Sequence, residues 1–288
     1  MAKSKTGGTR AYIRGRIGSD VYSVGKDGKG MRQQVVRSLA EQVSNPRTQS
    51  QMFGRMVMST VMQAVSAMAH IIDHSFDGIA TGQPSISEFI RRNYALVKAD
   101  AVAHPASGNK FDLNDYGLKG MAAGEYVVSN GNAVVPAALS MTGEAFGIAL
   151  TATTLTVGGL KAALGLTSDG YITLIGVGSF GNVVYDRVKL DTALPDTTAI
   201  TADNVASLFS HEGNKVITPT LATNTIYFEV EVSGNDNAFG FILSDKADGA
   251  WIHSACTLKA QGTFTHYADA VLPTYPTGTE QFLNGGDL

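Results

Sequence analysis

Cysteine and charge are both scarce in this sequence. Cys256 is the one cysteine among 288 residues, and Asp, Glu, Lys and Arg together make up 16% of the chain. A lone cysteine excludes an intrachain disulfide framework and any metal site built from several thiolates. Because Cys256 lies in a strand-like run over residues 251–258, we expect a buried and unreactive thiol. The low charge is typical either of a surface covered by partners or of a β-rich fold with many tight turns.

Long apolar runs are missing as well. The longest uncharged stretch, residues 56–72, includes Ser59, Gln63 and His70, so it is too polar to span a membrane. The N-terminus starts with basic residues but has no apolar stretch behind them, which gives no support for a signal peptide. We therefore expect no membrane association and no secretion by a classical signal.

The chain also lacks a recognisable catalytic motif. Gly176, Gly178 and Gly181 match the spacing of a dinucleotide-binding loop, but the residues that follow alternate like a strand. A nucleotide site needs a helix N-terminus at that point, so we interpret the match as a hairpin turn. No nucleophile elbow and no phosphate-binding loop is present. We predict no catalytic residue, no cofactor and no enzymatic activity.

Metal sites are weakly indicated at best. His70 and His74 lie four residues apart, a spacing that lets two imidazoles on a helix face one metal ion, but no third ligand is identifiable. A polar pair at a helix end explains them more simply. The acidic pairs Asp112/Asp115 and Asp245/Asp248 lie in Gly/Asn-rich turns, where carboxylates cap the backbone. We therefore predict no metal site.

The charge that is present is distributed unevenly. Residues 1–55 contain 11 basic and 3 acidic side chains, a net charge of +8, whereas the remaining residues contain 11 basic and 22 acidic ones, a net charge of −11. This asymmetry indicates either an acidic partner or complementary contacts between copies of the chain. A solvated basic terminus is the plainer alternative.

The basic N-terminal segment reads as a small β-ribbon. Strands are predicted over residues 11–17, 20–24 and 31–38, separated by glycine-containing turns. Residues 1–9 have no apolar periodicity and read as a tip that is mobile or ordered by a partner. The candidate contact residues for a partner or for nucleic acid are Arg10, Arg14, Arg16, Arg32, Arg37 and Arg47.

Two helices follow the ribbon. Thr48 and Gln51 form a capping box, after which apolar residues recur at helical spacing to the neighbourhood of Asp77 and Gly78. Ser85 and Glu88 form a second capping box, which opens a helix that ends before residue 105. The pattern predicts an antiparallel two-helix hairpin.

Beyond residue 136 the pattern becomes β. Strands are predicted over residues 146–157, 171–177, 182–190, 225–232, 239–243 and 251–259, with short helical pieces over 160–166 and 202–210. We expect an α+β fold with an N-terminal basic β-ribbon, a two-helix hairpin and a C-terminal antiparallel β-sandwich. The expected divisions are 1–48 for the arm and ribbon, 49–104 for the hairpin, 105–135 for a linker, 136–260 for the sandwich and 261–288 for an extended tail.

One family resemblance involves residues 15–51. Gly15-Arg16-Ile17-Gly18-Ser19-Asp20-Val21-Tyr22, the strand around Arg37 and the Asn45-Pro46-Arg47-Thr48-Gln49-Ser50-Gln51 helix start carry it. The segment resembles a family of uncharacterised proteins from Bacteroidota and their phages, in which a glycine-rich ribbon precedes such a helix start. The resemblance implies a virion or assembly component, and it leaves the β region without support.

Three functions remain open at this point. The first is a non-enzymatic structural protein of a phage virion, in the capsid, its decoration, the neck or the tail, which self-associates and contacts other virion proteins after assembly in the bacterial cytoplasm. The second is nucleic-acid binding through the basic arm, which predicts a steep dependence on salt. The third is a glycan- or surface-binding β-sandwich, for which the candidate aromatic contacts are Trp251, Tyr267 and Tyr275.

Overall fold

The fold is α+β, as the sequence predicts. The computed structural model describes residues 3–5, 12–26, 32–38, 49–103, 125–179, 182–191, 193–233 and 237–259. In these residues the helices are α1 (Gln49–Ile72), α2 (Gln83–Ala103) and α3 (Val157–Leu164). The strands are β1 (Lys3–Lys5), β2 (Tyr12–Ile17), β3 (Asp20–Lys26), β4 (Arg32–Ser38), β5 (Glu125–Ser129), β6 (Leu139–Thr142), β7 (Ala145–Ala149), β8 (Tyr171–Ser179), β9 (Asn182–Leu190), β10 (Phe209–Gly213), β11 (Pro219–Ala222), β12 (Thr225–Glu229), β13 (Ala238–Ala247), β14 (Ala250–His253) and β15 (Cys256–Lys259). The chain divides into two compact units, Met1–Pro46 and Arg47–Leu288.

The first unit contains a four-stranded antiparallel sheet in the order β1-β2-β3-β4. Strands β2, β3 and β4 lie where the sequence places them, and Gly18, with φ of 60°, occupies the tight turn between β2 and β3. Residues 1–9 are expected to be mobile or ordered by a partner, but Lys3–Lys5 is a strand that pairs with Tyr12–Arg14 of the same chain. Backbone pairing needs no apolar periodicity, so the pattern could not reveal this strand.

In the second unit, α1 buries the apolar stripe that its sequence predicts. Val57, Val61, Met68 and Ile72 are fully buried. The helix ends at Ile72, earlier than the predicted end near Asp77 and Gly78. Met68 has non-helical backbone angles, and the chain then turns so that the Asp77 carboxylate accepts hydrogen bonds from two backbone amides, those of residues 132 and 253.

Helix α2 begins at Gln83, so the prediction of a capping box at Ser85 and Glu88 is wrong. Ser85 is buried inside the first turn, and its hydroxyl donates to the carbonyl of Ala80. Glu88 pairs instead with Arg91 and Arg92 on the helix surface. The hydrogen bond from Arg91 lowers the pKa of Glu88.

Two large sheets, the two-stranded sheet of β5 and β15, and two apolar cores build the rest of this unit. A five-stranded sheet has the order β10-β9-β8-β13-β14, and a four-stranded sheet has the order β11-β12-β7-β6. Alternate residues of a strand point to opposite faces. On β8, Ile175 and Val177 therefore join the core with α1 and α2, while Ile172 and Leu174 join the core with the four-stranded sheet.

The helices consequently share a core with the β region. Strand β5, which lies inside the segment assigned to a linker, pairs with β15 at the other end of the unit. Asn93 of α2 clamps this strand because its amide donates to the Val127 carbonyl and its oxygen accepts from the Val127 amide, both at 2.8 Å. The division into 105–135 and 136–260 remains a prediction, but α2, β5 and β15 are physically joined.

Several β predictions need correction. The strand predicted over 146–157 ends at Ala149, because a 3₁₀ turn (Ala152–Thr154) and then α3 follow. The side chain of Thr156 caps α3 by accepting a hydrogen bond from the Gly159 amide. The run 251–259 is two strands, β14 and β15, in different sheets. Strands β6, β10 and β11 escaped prediction, since each has four or five residues and few β-branched side chains. The helical piece predicted over 202–210 is a single 3₁₀ turn, Val205–Leu208.

Candidate functional site

The first candidate site is the set of arginines on the N-terminal ribbon. Arg16 on β2 and Arg37 on β4 are both register partners of Val21 on β3. Directly opposed residues point to the same face of a sheet, so these three side chains form one row across three strands. The Arg16 Nε atom also donates to the carbonyl of Gly18 at 2.8 Å, which fixes that side chain at the turn.

For the other predicted arginines, the structure gives at most the backbone position. In the backbone register, Arg14 pairs with Lys3, and Arg32 pairs with Lys26. Arg10 and Arg47 lie outside the described residues. The structure therefore brings Arg16 and Arg37 together, and a contact role for the whole set remains a prediction.

The opposite face of the ribbon carries apolar side chains among polar ones, since Asp20 is the register partner of Ile17 and Gln34 lies two residues from Val36 on β4. Ile17 follows Arg16 on β2, and Val36 precedes Arg37 on β4. Both side chains therefore point to the face opposite the arginines. Tyr22 is the register partner of Val36 on that face. Ile17 is 48% exposed and Val36 is 52% exposed, so the ribbon presents apolar side chains to solvent.

The glycine pattern that imitates a nucleotide loop has a packing explanation. Gly176 and Gly178 lie within β8, and Ser179 pairs with Asn182 at the start of the antiparallel strand β9, which confirms the hairpin interpretation. A Cβ atom on Gly178 would lie 2.2 Å from the carbonyl oxygen of Ser233. Gly178 is therefore required because a neighbouring backbone passes too closely for any side chain. A Cβ atom on Gly176 would instead lie 2.7 Å from the Val230 side chain, so that glycine leaves room for core packing. Residue 181 lies outside the described residues.

The two histidines of α1 do not converge on a common ligand. His70, in the last turn of the helix, stacks on Tyr185 with ring centroids 6.1 Å apart, and its carbonyl accepts from Arg187 Nη2 at 2.6 Å. His74 lies in the turn beyond the helix end. Within the described ranges, no group of three or more His, Cys, Asp and Glu side chains could hold a metal ion.

The acidic turn residues act on the backbone where the structure describes them. The Asp245 carboxylate accepts from the backbone amides of Thr167 at 3.1 Å and Lys246 at 2.8 Å, and also from the Thr167 hydroxyl. This confirms that Asp245 caps a turn. Asp112 and Asp115 lie outside the described residues.

A buried carboxylate that the sequence analysis did not single out is Asp186 on β9. It is fully buried, and its Oδ2 atom accepts from the Ile217 amide at 2.8 Å and lies 2.7 Å from Nδ1 of His211. An unpaired buried carboxylate is costly, so these partners are required for it to be accommodated. The pair attaches the segment after β10 to the sheet face that meets the four-stranded sheet, which is a structural role.

The second candidate site is a groove on the other face of the five-stranded sheet. Helices α1 and α2 cover only part of that face, because α1 ends at Ile72. Beyond this end, a groove of about 570 Å³ crosses β8, β9, β10 and β14. Its lining residues are His74, Tyr171, Arg187, Lys189, Ser210, His211, Glu212 and Trp251. A smaller cavity of about 220 Å³ shares His74, Tyr171 and Trp251 with it.

Aromatic rings at this groove contact each other and are flanked by cationic groups. Trp251 packs edge-on against Tyr171, with centroids 5.5 Å apart, and the Lys246 ammonium lies 5.1 Å from the indole centroid. The Arg187 guanidinium lies 6.0 Å from the Tyr171 ring. Groups on four strands thus form a continuous sequence of cation–π and ring contacts. Tyr267 and Tyr275, the other aromatic candidates, lie outside the described residues.

Cys256 is buried in the core beneath the helices, as predicted. Its exposed fraction is 8%, and burial raises the pKa of its thiol to about 12. The reactive thiolate form is therefore strongly disfavoured at neutral pH, so Cys256 is a packing residue.

Comparisons with known proteins found no matching family model, no similar curated protein and no similar solved structure. Among the described residues, no helix combines the length and the apolar character needed to cross a bilayer.

Proposed function

We propose that this chain is a non-enzymatic structural protein of a phage virion, and that it acts by self-association through its N-terminal ribbon. The observation that carries the proposal is the exposure of apolar side chains on that ribbon. One face presents Arg16 and Arg37, and the opposite face presents Ile17 and Val36, each about half exposed. A small sheet with exposed apolar side chains gains stability when another surface covers them.

Charge supports a second copy of the chain as the covering surface. The first 55 residues carry a net charge of +8, and the remainder carries −11. An arm of one copy that lies on the body of another would bring these opposite charges together and steer the association. The same arrangement would repeat around a ring or a shell, because an arm that reaches a neighbour leaves its own body free for the next arm.

The finer architecture belongs to the same proposal. The described strands are consistent with an N-terminal ribbon, a two-helix hairpin and a C-terminal antiparallel sandwich in which the four- and five-stranded sheets enclose one apolar core. Such a body is a rigid platform that can be tiled. The virion setting itself rests on the family resemblance of residues 15–51 and on the low proportion of charged side chains.

Sedimentation of the purified full-length chain tests the self-association. We expect a multimer that Val36→Glu dissociates, because a carboxylate in place of this exposed valine would be buried in the contact between copies. Val134→Glu is the matched control, since Val134 is 84% exposed on the body. A monomeric wild-type chain, or a Val36→Glu variant that remains fully multimeric, would refute self-association through the ribbon. Mass spectrometry of purified virions tests the setting, and absence of the chain from the particles would refute it.

Nucleic-acid binding is the second candidate, and the row of Arg16, Val21 and Arg37 is the observation that favours it. Two guanidinium groups on one face can contact phosphates, and such binding weakens steeply as salt rises. Filter binding of duplex and single-stranded DNA at two salt concentrations measures it. Loss of binding in an Arg16→Ala/Arg37→Ala double variant would favour this function. If the wild-type chain binds no DNA at low salt, nucleic-acid binding is refuted and the arm is expected to contact protein.

A further inference from the structure

The groove on the five-stranded sheet is an open face created by the length of one helix. On this face, Ile175, Val177 and Ile242 are covered by the helices, whereas Tyr171, farther along β8, lies beyond the end of α1. The register of the sheet places Lys246 opposite Trp251 and Arg187 opposite Glu212. The uncovered part is therefore a contiguous surface built from paired strands, which hold its side chains in fixed positions.

The aromatic part of this surface is Trp251, the single tryptophan of the chain. Its side chain remains 40% exposed, although it stands on a strand and packs against Tyr171. The ammonium of Lys246 lies over the ring, 5.1 Å from its centroid. An indole that is held rigidly at the wall of a groove offers a flat apolar surface at little cost in conformational entropy.

The cations differ in how firmly they are held. Arg187 is fixed, because Nη2 donates to the His70 carbonyl and Nη1 lies 3.6 Å from Glu212. Lys246 forms an ion pair of 2.9 Å with Asp169. In the described part of the chain, the Lys189 ammonium forms neither a hydrogen bond nor an ion pair and interacts with Asp169 only by electrostatic attraction over a longer distance, so it is the cation most available to an anionic ligand.

Carboxylates in the groove determine which class of anion fits. Glu212 is 82% exposed at the edge of the groove, and Asp73 lines the adjoining cavity. These carboxylates can accept hydrogen bonds from hydroxyl groups, which a sugar carries on every ring and a phosphodiester backbone lacks. The edge-on contact of Trp251 with Tyr171, at 61° between the planes, also differs from the parallel platform on which successive bases stack.

We propose that this groove binds an acidic oligosaccharide, with the apolar face of a pyranose ring on Trp251, the sugar carboxylate on Lys189, and sugar hydroxyls on Glu212 and Ser210. The volume of about 570 Å³ is within the range for small-ligand sites and accommodates a few sugar rings. This site lies on the second unit and is independent of self-association through the ribbon. It gives the chain a means of attaching to a carboxylate-bearing cell-surface polysaccharide.

The single tryptophan makes the test direct. Titration of the full-length protein with short oligomers of galacturonic acid should produce a saturable change in Trp251 fluorescence, while neutral oligomers of galactose should bind at least about tenfold more weakly, because a charge-assisted hydrogen bond is missing. Lys189→Gln should weaken galacturonate binding by about tenfold for the same reason. Lys215→Gln is the control, since Lys215 is an exposed lysine outside the groove and should leave binding unchanged.

Trp251→Ala removes the reporter, so its binding is followed by calorimetry, with a thermal melt to show that the variant is folded. We expect no measurable binding of the acidic oligomers. The proposal is overturned if galacturonate oligomers bind wild type and Trp251→Ala equally or bind neither. Equal affinity for the neutral oligomers would overturn the role of Lys189, and tighter binding of a single-stranded oligonucleotide would identify the groove as a nucleic-acid site instead.

Discussion

Gly178 offers the sharpest test of the packing within the second unit. In the native structure a Cβ atom at this position would lie 2.2 Å from the Ser233 carbonyl oxygen, whereas real Cβ contacts essentially never fall under 3.0 Å. Gly178→Ala must therefore displace the backbone that follows Val232. That backbone is held by the Asn182 side chain, whose Nδ2 atom lies 2.8 Å from the Ser233 carbonyl oxygen and 2.6 Å from its hydroxyl oxygen.

The expected loss of stability follows from these two effects. Forcing an extra methyl group into a close-packed site costs about 1 to 3 kcal/mol. Straining the Asn182 hydrogen bonds adds up to about 1 kcal/mol, since both are exposed. We therefore expect Gly178→Ala to lower the free energy of unfolding by about 3 kcal/mol, which is a decrease in Tm of roughly 6 to 12 °C for a unit of this size.

Differential scanning calorimetry of the full-length variants measures this effect, and Gly54→Ala is the matched control. Gly54 lies inside α1, where an added Cβ would meet only the Tyr94 hydroxyl at 3.9 Å. Replacing an interior helical glycine with alanine should raise stability by about 0.8 to 1 kcal/mol. A Gly178→Ala variant that melts within about 1 °C of wild type would refute the packing explanation and reopen a ligand-binding role for the glycine pattern.

Two further predictions concern titration. Burial lowers the pKa of His253 from its ordinary value of 6.5, so the unfolded chain binds more protons than the folded one below pH 6.5. The free energy of unfolding, measured with urea, should therefore fall as the pH drops from 6.5 to 5. His253→Gln should reduce this pH dependence, and a variant with the same pH dependence as wild type would contradict the prediction. Cys256, with a buried thiol whose pKa is raised to about 12, should react with a thiol reagent only after unfolding; fast labelling of the native protein would show that the core is open.

The elements that the sequence predicts well are those with strong local signals. Strand β9, Asn182–Leu190, has the predicted bounds, and α1 buries the predicted apolar positions. The failures lie where tertiary contacts override a local rule. Ser85 and Glu88 match a capping box, yet the preceding turn at Gly82, with φ of 81°, lets the helix begin at Gln83, three residues before the start that the box predicts. A local pattern cannot show which of two adjacent starts the tertiary packing favours.

The groove could not be predicted from the sequence for a different reason. Tyr171 and Trp251 are separated by 79 intervening residues, and only the neighbouring positions of β8, β13 and β14 in one sheet bring the rings to 5.5 Å. Register depends on how two strands pair, so it cannot be read from the spacing of residues along the chain. The sequence shows that residue 251 is a tryptophan, but it does not show which side chains surround the indole.

The end of α1 is the feature on which the groove depends. If the helix continued to Asp77 and Gly78, as its periodicity predicts, its last turn would extend toward the sheet face beyond Ile72. Instead the helix kinks at Met68 and ends at Ile72, and in the turn that follows Asp77 accepts from the amide of His253 at 2.6 Å, which ties the turn to β14 two positions from Trp251. This hydrogen bond anchors the turn that follows the helix to the strand that carries the indole, so the uncovered sheet face and Trp251 are held in fixed positions relative to each other.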